Sequence, residues 1–377
     1  MAKLLYLVPN DAYFLSHRLP MARAAIDCGY QVGLVTRPGD HKQKIEDEGI
    51  RVIPCNITPG GMNPFRALRS LLEITRIYKK ERPDLVHHVT LKAIMLGGLA
   101  AIRAKIPHMI NAAAGLGYLF TSNTLKARVI RLCMAPFLRY ILKHRRSTLL
   151  LQNPDDKDLL LRRKLAGTDN IVLIPGSGVE TDIYRPTPTP GFEQKIICVF
   201  SGRMIGIKGL QALKDAFEFL EDEAPRIHLW LCGTPDPNNP GSWTEEQLKD
   251  WAAAPNIIWK GYCTNMAEIW QSAHIAVHPA EGGEGIPKAL LEAAATGRAI
   301  IASDVPGCRE IVKHEANGLL VPPKDPKALS LAIQKLAWNG KLCAEYGAAG
   351  PELVHQYGMT ANDVQRRTRE LYESLKP

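Results

Sequence analysis

Short apolar runs alternate along the chain with longer segments in which apolar residues recur at helical spacing. The first run, KLLYLV at 3–8, predicts a strand, and SHRLPMARAAIDCG predicts a helix that ends at Gly29. Further strands are predicted by the runs QVGLVT, RVIPC, DLVHH, HMINAA, STLLLQ and NIVLIPG. Strands that alternate with helices in this way indicate βαβ units and a mainly parallel sheet.

A proline-rich stretch, RPTPTPG at 185–191, interrupts this alternation and predicts a linker, because it suits neither a helix nor a central strand. A second alternating series follows, with the runs KIICVFSG, IHLWLCG, NIIWKG, HIAVHP, AIIAS and NGLLVP. We therefore expect α/β domains at 1–185 and 186–357, and a C-terminal helix at 358–377 that packs back toward the first domain. Because open parallel sheets bind ligands at the carboxyl ends of their strands, functional residues should follow the strands.

The overall composition adds few constraints to this pattern. A chain of 377 residues with 46% apolar and 23% charged residues is typical of a globular protein with two sizeable domains. The eight cysteines are scattered without a CxxC pair, which favours reduced thiols in a cytosolic protein. The N-terminus predicts no signal peptide, and the longest uncharged apolar run, AIMLGGLAAI, is too short to cross a bilayer. We therefore expect a cytoplasmic protein.

The net charge of +9 is distributed unevenly along the chain. Residues 1–185 carry 28 Lys and Arg against 15 Asp and Glu, whereas residues 186–377 carry 19 against 23. This asymmetry predicts that the first half faces an anionic surface.

The most basic segment, residues 125–146, contains seven basic residues and no acidic one. Helical spacing places five of the basic residues on one stripe: Arg128, Arg131, Arg139, Lys143 and Arg146. Basic amphipathic helices bind anionic membranes, and each cation near such a surface contributes about 1 kcal/mol. We therefore expect a membrane contact here, with a core helix that has a solvated basic face as the alternative. We expect no nucleic-acid partner, because no motif or aromatic interleaving indicates one.

Two cations follow the first strand of the second series. In SGRMIGIKGL, Arg203 and Lys208 lie on a glycine-containing loop that leads into a helix. The N–H groups at a helix start and the guanidinium fork both favour phosphate, so this loop is a candidate diphosphate site. A solvated loop with two surface charges explains the same residues.

Two carboxylates flank the start of a later helix, in HPAEGGEGIPKALLEAAATG. Glu284 follows the strand HIAVHP, Pro287 suits the first helical turn, and Glu292 lies inside the helix. The distance along the axis from Pro287 to Glu292 is about 7.5 Å at ~1.5 Å per residue. This spacing suits two sites on one elongated ligand better than one shared proton. Dipole compensation by Glu284 and an i,i+4 pair of Lys288 with Glu292 are the structural alternatives.

Together these stretches resemble the retaining glycosyltransferases of family 4. That family carries an Arg…Lys pair in a GR…KG loop and then an E-x7-E motif, and this chain has GRMIGIKG and Glu284-x7-Glu292 in the same order. The later VPGCREIV is also similar to the family. The resemblance covers the whole chain, is specific in the second half and looser in the first. It implies the GT-B fold, in which two Rossmann-like α/β domains have a donor/acceptor cleft between them.

The resemblance implies roles for residues of the second half. Arg203 and Lys208 would hold the donor diphosphate, Glu284 would contact the donor sugar, and these three are the implied catalytic residues. Glu292 would bind the ribose hydroxyls of a UDP-sugar. The other implied donor-binding residues are Gly202, Gly233, Tyr262, Gly285, Ile286 and Pro287. No DxD motif flanks either predicted cleft, so we expect no metal, and no cofactor beyond the UDP-sugar.

The loop after the first strand, PNDAYFLSHRLP, departs from the common family pattern of paired glycines. It carries Asn10 and Asp11 in their place. The SHRLP run resembles the branch that acts on polyprenyl-diphosphate-linked sugars in bacterial glycan assembly. That branch implies that Asn10, His17 and Arg18 face the acceptor, although a histidine at a helix start is equally often structural.

Two further loops of the first half offer acceptor contacts. Many relatives carry a histidine after the fifth strand, but NAAAGLGYLF has none, which leaves Gly115 and Gly117 for close backbone approach. The loop HHVTLK offers His88, Thr90 and Lys92. Lys92 would meet an acceptor phosphate or, alternatively, cap a solvated helix start.

The sequence therefore predicts a retaining, metal-independent glycosyltransferase that moves a hexose or N-acetylhexosamine from a UDP-sugar. The predicted acceptor is a polyprenyl-diphosphate-linked sugar at the inner face of a bacterial membrane. The resemblance implies retention by front-face attack, in which the departing phosphate oxygen takes the acceptor proton. Two alternatives stay open: a UDP-sugar 2-epimerase of the same fold, and a non-catalytic membrane-bound scaffold.

Overall fold

The computed structural model describes residues 1–57, 63–117, 120, 124–193, 195–221, 226–237 and 239–376. The chain divides into two compact units, the first formed by Met1–Ser177 with Ala361–Pro377 and the second by Gly178–Thr360. Each unit contains one parallel sheet, which confirms the predicted α/β class.

The first unit contains a seven-stranded parallel sheet flanked by helices. Its strands are β1 (Lys3–Leu7), β2 (Gln31–Thr36), β3 (Arg51–Pro54), β4 (Leu85–Val89), β5 (His108–Ala112), β6 (Ser147–Leu151) and β7 (Ile171–Leu173). Its described helices are α1 (Asp11–His17), α2 (Leu19–Asp27), α3 (Lys42–Glu46), α4 (Pro64–Glu81), α5 (Leu91–Ala104), α6 (Leu125–Leu142), α7 (Pro154–Arg162) and, at the end of the chain, α15 (Ala361–Ser374).

The strand order in this sheet is β3-β2-β1-β4-β5-β6-β7. The order reverses between β1 and β4, which pair in parallel with Leu7 beside His88. The loops that follow these two strands therefore begin side by side at the carboxyl edge of the sheet, where α/β folds bind ligands.

The first helix, α1, begins at an N-cap residue, Asn10, that was not used in predicting it. The Asn10 side chain accepts a hydrogen bond from the Tyr13 N–H, and Asp11 occupies the first turn of α1. The first helix therefore begins at Asp11, earlier than predicted. As a result His17 is the last residue of α1 rather than a helix-start residue, and Arg18 lies between α1 and α2.

The C-terminal helix α15 completes the core of the first unit. The Tyr372 hydroxyl contacts the Tyr6 hydroxyl and lies 2.9 Å from Nδ1 of His87, while the Tyr30 hydroxyl donates to the Tyr372 carbonyl at 3.0 Å. Burial and the nearby Arg18 guanidinium hold the pKa of His87 well below its usual range, so the imidazole in this network is neutral.

The second unit contains a six-stranded parallel sheet in the order β10-β9-β8-β11-β12-β13. The strands are β8 (Ile196–Ser201), β9 (Ile227–Cys232), β10 (Ile257–Gly261), β11 (Ile275–His278), β12 (Ala299–Ser303) and β13 (Gly318–Val321). The described helices are α8 (Leu210–Glu218), α9 (Glu245–Trp251), α10 (Met266–Ser272), α11 (Lys288–Thr296), α12 (Cys308–Ile311), α13 (Pro326–Ala337) and α14 (Gly340–Gln356). Here the order reverses between β8 and β11, which pair in parallel.

The proline-rich stretch at 185–191 lies within the second unit. The buried Arg298 guanidinium donates to the Thr187 Oγ1 at 2.7 Å and to the Pro188 carbonyl at 3.2 Å. This stretch is therefore held against the end of α11 by hydrogen bonds.

Candidate active site

The two motif-bearing loops of the second unit leave the sheet at its reversal point. The loop with Arg203 follows β8, and the loop with Glu284 follows the neighbouring strand β11. A backbone hydrogen bond of 2.9 Å, from the Glu281 N–H to the Ile207 carbonyl, joins the two loops. Parallel strands with adjacent carboxyl ends thus bring together residues that are far apart in sequence.

Lys208 and Glu284 form an ion pair at this point, and each side chain is only 16% exposed. The second oxygen of Glu284 accepts a 2.8 Å hydrogen bond from Nε2 of His278, the last residue of β11. Burial opposes ionisation of Glu284, but Lys208 and His278 outweigh it and hold the pKa of this carboxyl well below its usual range. The site therefore contains a fixed, ionised carboxylate whose two oxygens are both engaged.

Arg203 lies at the more open side of the same loop. Its Nη1 donates to Asp236 Oδ2 at 2.7 Å, and 62% of its side chain is exposed. The Asp236 N–H in turn donates to Ser242 Oγ at 2.8 Å. Because an exposed ion pair of this kind contributes at most about 1 kcal/mol, the guanidinium can exchange the carboxylate for a phosphate at little cost.

Two glycines allow close backbone contacts with the two motif-bearing loops. Gly233 has a φ of +140°, and a Cβ there would lie 1.9 Å from the Gly202 carbonyl oxygen. Gly307 has a φ of +83°, and a Cβ there would lie 1.8 Å from the Gly285 carbonyl oxygen. Both positions therefore require glycine, and the second explains the glycine in the VPGCREIV stretch.

Glu292 lies in a different environment from Glu284. It is 7% exposed, and it accepts a 3.3 Å hydrogen bond from Nε1 of Trp270, with Lys288 Nζ 3.9 Å away. Burial raises the pKa of Glu292 against the opposing effect of Lys288, Trp270 and Tyr184. The predicted i,i+4 pair is thus present but long, and the hydrogen bonds to the carboxylate come from the neutral donors Trp270 and Tyr184.

Other predicted donor residues occupy the same edge of the sheet. Ile286 is buried, and Pro287 is the N-cap of α11, one position before the first turn in which the sequence analysis placed it. Tyr262 directly follows β10 and is 78% exposed, so its ring is open to a ligand.

Three side chains of this site were not predicted from the sequence. His278 orients Glu284, Asp236 holds Arg203, and Tyr184 hydrogen-bonds Glu292 and has its own pKa raised by burial and by that carboxylate. Of these, His278 carried a usable signal, because it ends a strand at the edge where Glu284 was expected.

The candidate acceptor residues of the first unit are mostly engaged in local structure. Asn10 caps α1, and Asp11 accepts hydrogen bonds from the N–H groups of Gly39 at 2.8 Å and His41 at 3.2 Å. His17 is half-buried, stacks on Tyr13 with ring centroids 4.5 Å apart and lies 2.7 Å from the Ser16 hydroxyl. Asn10 and His17 therefore stabilise the start and the end of α1.

Arg18 is 2% exposed, and its Nη1 lies 3.3 Å from the Met21 sulfur. Its Nε has no hydrogen-bond partner among the described residues. A buried guanidinium with so few partners is unusual, and the acceptor role of Arg18 stays a prediction.

The remaining polar candidates lie at the end of β4 and just after it, and His88, which was expected in the loop, is part of the strand. His88 is buried, with Nδ1 2.7 Å from Asn111 and Nε2 3.1 Å from the Tyr78 hydroxyl, and burial lowers its pKa to about 4. Thr90 caps α5 with a φ of +89°, a strained value for a residue with a side chain. Lys92 is half-buried in the first turn of α5, where burial lowers its pKa. The acceptor role of Lys92 stays a prediction.

Gly115 and Gly117 follow β5 with φ values of +87° and +67°. A Cβ on Gly117 would meet no described atom within 4 Å. The close approach of a sugar or phosphate to Gly115 and Gly117 stays a prediction.

The basic segment forms helix α6, but one predicted stripe residue lies outside it. Arg128, Arg131 and Arg139 are on the helix and Lys143 is its C-cap, whereas Arg146 lies beyond the helix end and donates to the Ile106 carbonyl at 3.2 Å. Helical periodicity was extended too far here, because the helix ends at Leu142 and β6 begins at Ser147.

Two features are absent from the residues that the structure describes. No described helix is long and apolar enough to cross a bilayer. Within the same residues, no group of three or more His, Cys, Asp or Glu side chains is arranged to hold a metal ion.

Comparison with known proteins identifies the family. Residues 3–153 match the family described as glycosyl transferase 4-like, and residues 195–339 match the glycosyl transferases group 1. These matches together cover most of the chain, which therefore belongs to the family 4 glycosyltransferases.

Individual relatives agree with this assignment. The chain is 26% identical over 382 residues to the N,N'-diacetylbacillosaminyl-diphospho-undecaprenol alpha-1,3-N-acetylgalactosaminyltransferase of Campylobacter jejuni, covering 96% of this chain and 98% of that protein. It is 22% identical over 307 residues to the UDP-Gal:alpha-D-GlcNAc-diphosphoundecaprenol alpha-1,3-galactosyltransferase of Escherichia coli, covering 78% and 77% of the two chains. The crystal structure of HepE from Anabaena in complex with UDP and glucose superposes with a TM-score of 0.76 at 14% identity, covering 99% of this chain and 100% of that one. The fold is therefore GT-B.

Proposed function

We propose that this glycosyltransferase transfers a hexose or N-acetylhexosamine from a UDP-sugar to a polyprenyl-diphosphate-linked sugar, with retention and without a metal. The observation that carries the proposal is the Lys208–Glu284–His278 cluster at the reversal point of the second sheet. Two relatives are named for sugars linked through diphosphate to undecaprenol, one of them with a UDP-sugar donor.

The donor diphosphate is proposed to bind between Arg203 and Lys208. A diphosphate would replace Asp236 as the partner of Arg203 and share Lys208 with Glu284. These cations are held in place before the reaction, so they can stabilise the charge that develops on the leaving phosphate without rearranging. The backbone N–H groups of Gly285 and Ile286, just before α11, would add neutral donors to the same oxygens.

Glu284 and Glu292 are proposed to bind two different sugars of the donor. Glu284 is ionised and fixed by two partners, so it can accept a hydrogen bond from a hydroxyl of the transferred sugar. Glu292 is held by the neutral donors Trp270 and Tyr184, which suits a carboxylate that binds the ribose hydroxyls. Tyr262 and Gly233 would lie beside the base. In the proposed chemistry, the acceptor hydroxyl attacks on the side from which the diphosphate departs, and a phosphate oxygen takes its proton.

The acceptor is proposed to reach the first unit at the carboxyl edge of its sheet. Lys92 and the N–H groups at the start of α5 would contact the lipid-linked diphosphate, and the loop with Gly115 and Gly117 would leave room for the acceptor sugar. The basic face of α6 is proposed to hold the protein on the inner face of the cell membrane, where Arg128, Arg139 and Lys143 would contact anionic lipid headgroups.

A thermal-shift panel with UDP, GDP, ADP and CMP tests the donor class first. A ligand that binds only the folded protein raises the unfolding temperature, so UDP alone should produce a shift, and the Arg203→Ala variant should lose it. A shift with GDP or ADP instead would replace the proposed donor class, and no shift with any nucleotide would favour the non-catalytic scaffold.

A transfer assay then tests the reaction. Purified protein should move sugar from a UDP-hexose or UDP-N-acetylhexosamine to an undecaprenyl-diphosphate-linked sugar, both with and without EDTA, and NMR of the product should show a retained anomeric configuration. Loss of activity in EDTA that magnesium restores would overturn the metal-independent mechanism, and an inverted product would overturn retention. Conversion of free UDP-GlcNAc to its 2-epimer would identify an epimerase instead.

A further inference from the structure

The exposed apolar side chains of the first unit are concentrated on two helices. Apart from Met1 and Ile26, all the large apolar side chains that are exposed in its described residues lie on α4 and α6. Those on α4 are Phe65, Leu68 and Leu72, and those on α6 are Leu125, Val129, Leu132, Phe137 and Tyr140. In the second unit, exposed apolar residues are spread over many elements, so the concentration is specific to this pair of helices.

The exposed apolar residues of α4 form a stripe. Phe65, Leu68 and Leu72 are 82%, 54% and 41% exposed and recur at i, i+3 and i+7, so they share one face over the first two turns. The opposite face, with Ile74 and Tyr78, packs into the core. The exposed stripe is therefore distinct from the face of α4 that packs into the core.

The same outer face of α4 is basic and free of partners. The side chains of its five cations make no hydrogen bond or ion pair within the described residues, and they are Arg66, Arg69, Arg76, Lys79 and Lys80. The two acidic residues of α4 are engaged elsewhere, since Glu73 accepts from the Asn56 N–H and Glu81 pairs with Arg51 and Lys3. Apolar side chains among unpaired cations are the pattern of a helix that lies in the interface of an anionic membrane.

The topology directs α4 and α6 to the same surface. Helix α5 packs against both. The connections from β3 to β4, from β4 to β5 and from β5 to β6 all join parallel strands, so each of these helices begins at the carboxyl edge of the sheet. Leu125, Val129 and Leu132 are 77%, 52% and 76% exposed in the first turns of α6. The apolar turns of α4 and α6 thus flank the start of α5, which carries Lys92.

We propose that α4 is a second lipid-binding helix, whose Phe65, Leu68 and Leu72 insert among the headgroups of an anionic membrane together with the first turns of α6. This inference rests on the proposed function, because it adds an inserting element to the membrane contact proposed for α6. It also explains the exposed apolar side chains of α4, which electrostatic binding through the basic residues would not require. Insertion at this edge would bring a lipid-linked diphosphate to the level of the first turn of α5.

A matched pair of triple variants tests the insertion. One is Phe65→Ser/Leu68→Ser/Leu72→Ser, and its control is Phe219→Ser/Ile183→Ser/Leu331→Ser, which removes side chains of similar exposure from the second unit. Binding is measured by co-sedimentation with phosphatidylcholine vesicles that contain about 30% phosphatidylglycerol. We expect the α4 variant to lose at least about tenfold in partition coefficient and the control to bind like the wild type. Equal binding of the two variants would overturn the proposal.

Depth is measured with Leu68→Trp and vesicles of lipids brominated on their acyl chains. The six native tryptophans all lie in the second unit, so a tryptophan on α4 reports a separate location. Quenching of the new tryptophan is expected, and its absence with bound vesicles would show that α4 stays outside the membrane. If the wild type does not bind the vesicles, the proposal is overturned, and a partner protein is the indicated occupant of this surface.

The proposed function is tested separately in the same variants. The UDP-induced thermal shift, and transfer to an acceptor with a short, water-soluble prenyl chain, should be unchanged in the α4 variant, whereas transfer to the full-length lipid acceptor in vesicles should fall. Absent transfer to the soluble acceptor by the wild type would contradict the proposed function and leave the vesicle result to stand on its own.

Discussion

The two sheets reverse their strand order in the same way, but their reversal points are built differently. In the second unit, the charged side chains after β8 and β11 contact one another, with Glu284 fixed by Lys208 and His278. In the first unit, the polar side chains after β1 and at the end of β4 are used mainly by the fold itself, since Asn10 caps α1 and His88 is buried against Asn111. The carboxyl edge of the second sheet therefore has preorganised charge, whereas that of the first sheet has open backbone and few free side chains.

This difference matches the two kinds of ligand in the proposed reaction. A nucleotide diphosphate carries localised charge, and preassembled cations and carboxylates recognise it in a fixed geometry. A lipid-linked acceptor can be positioned largely by the membrane that contains it, so fewer side chains are needed at the sheet edge. Substitutions at the second edge should therefore affect chemistry and nucleotide binding, whereas those at the first should affect folding or the use of acceptor.

The largest expected effect comes from Arg203→Ala. Loss of a preorganised cation at the leaving diphosphate should lower kcat by about 10³, to undetectable turnover in an ordinary assay. The unfolding temperature should stay within error of the wild type, because the side chain is mostly exposed. Lys249→Ala, at another exposed cation of the same unit, serves as the control. Turnover like that of the wild type would remove the diphosphate assignment.

Glu284→Gln should lower kcat by about 10², because the amide keeps the shape of the side chain but loses the charge that pairs with Lys208 and His278. His278→Gln leaves the carboxylate in place and removes only one of its orienting partners, so its kcat should fall about tenfold with little change in UDP affinity. Steady-state kinetics with saturating UDP-sugar compares the two variants. A larger loss in His278→Gln than in Glu284→Gln would contradict the view that His278 acts through Glu284.

Glu292→Gln should weaken UDP binding about tenfold, or ~1.4 kcal/mol, as measured by calorimetry. It should also change the pH dependence of stability. Burial raises the pKa of Glu292, so the folded wild type is destabilised as pH rises from the usual carboxyl pKa through the raised one, and the glutamine variant is not. The difference in unfolding temperature should therefore grow in favour of the variant across that window. Unchanged UDP affinity would contradict the ribose role.

The smallest effect should come from Asn10→Ala in the first unit. Loss of this N-cap should cost about 1 kcal/mol in the free energy of unfolding, measured with urea, while UDP affinity stays unchanged. Asn10→Ser, which can still cap α1, should recover most of that stability. A different outcome is an equal loss of acceptor affinity in Asn10→Ser and Asn10→Ala with little change in stability. Asn10 would then contact the acceptor. The carboxyl edges of the two sheets would in that case be more alike than their side-chain contacts suggest.

Much of the second unit could be predicted because its motifs are short, continuous stretches of sequence. The GRMIGIKG and Glu284-x7-Glu292 stretches each follow a strand, and parallel topology makes their convergence a general expectation. The partners of those residues were harder to predict. Asp236 and Tyr184 are far along the chain from Arg203 and Glu292, and single-sequence patterns do not indicate which side chains meet across loops.

The first unit was less predictable because its polar residues serve the fold. Asn10 was assessed as a ligand residue although it caps a helix that begins at Asp11, so His17 lies at the end of that helix and not at the beginning of one. The burial of Arg18 contradicts the general tendency of arginine to be exposed, so composition could not reveal it. On α6, the basic residues were recognised, but a membrane contact and a core helix both stayed open for its apolar residues, because periodicity alone does not show which face packs.

The docking of α15 has a consequence for how the protein is made. Tyr372, on the helix that follows the second unit, completes a buried network with Tyr6 and His87, which are translated before that unit. Residues 178–360 are translated between these two parts and form a self-contained unit. The first unit therefore cannot finish folding until α15 has been translated, and premature termination after Thr360 would release chains in which the second unit is complete and the core beneath β1 is open to chaperones and proteases.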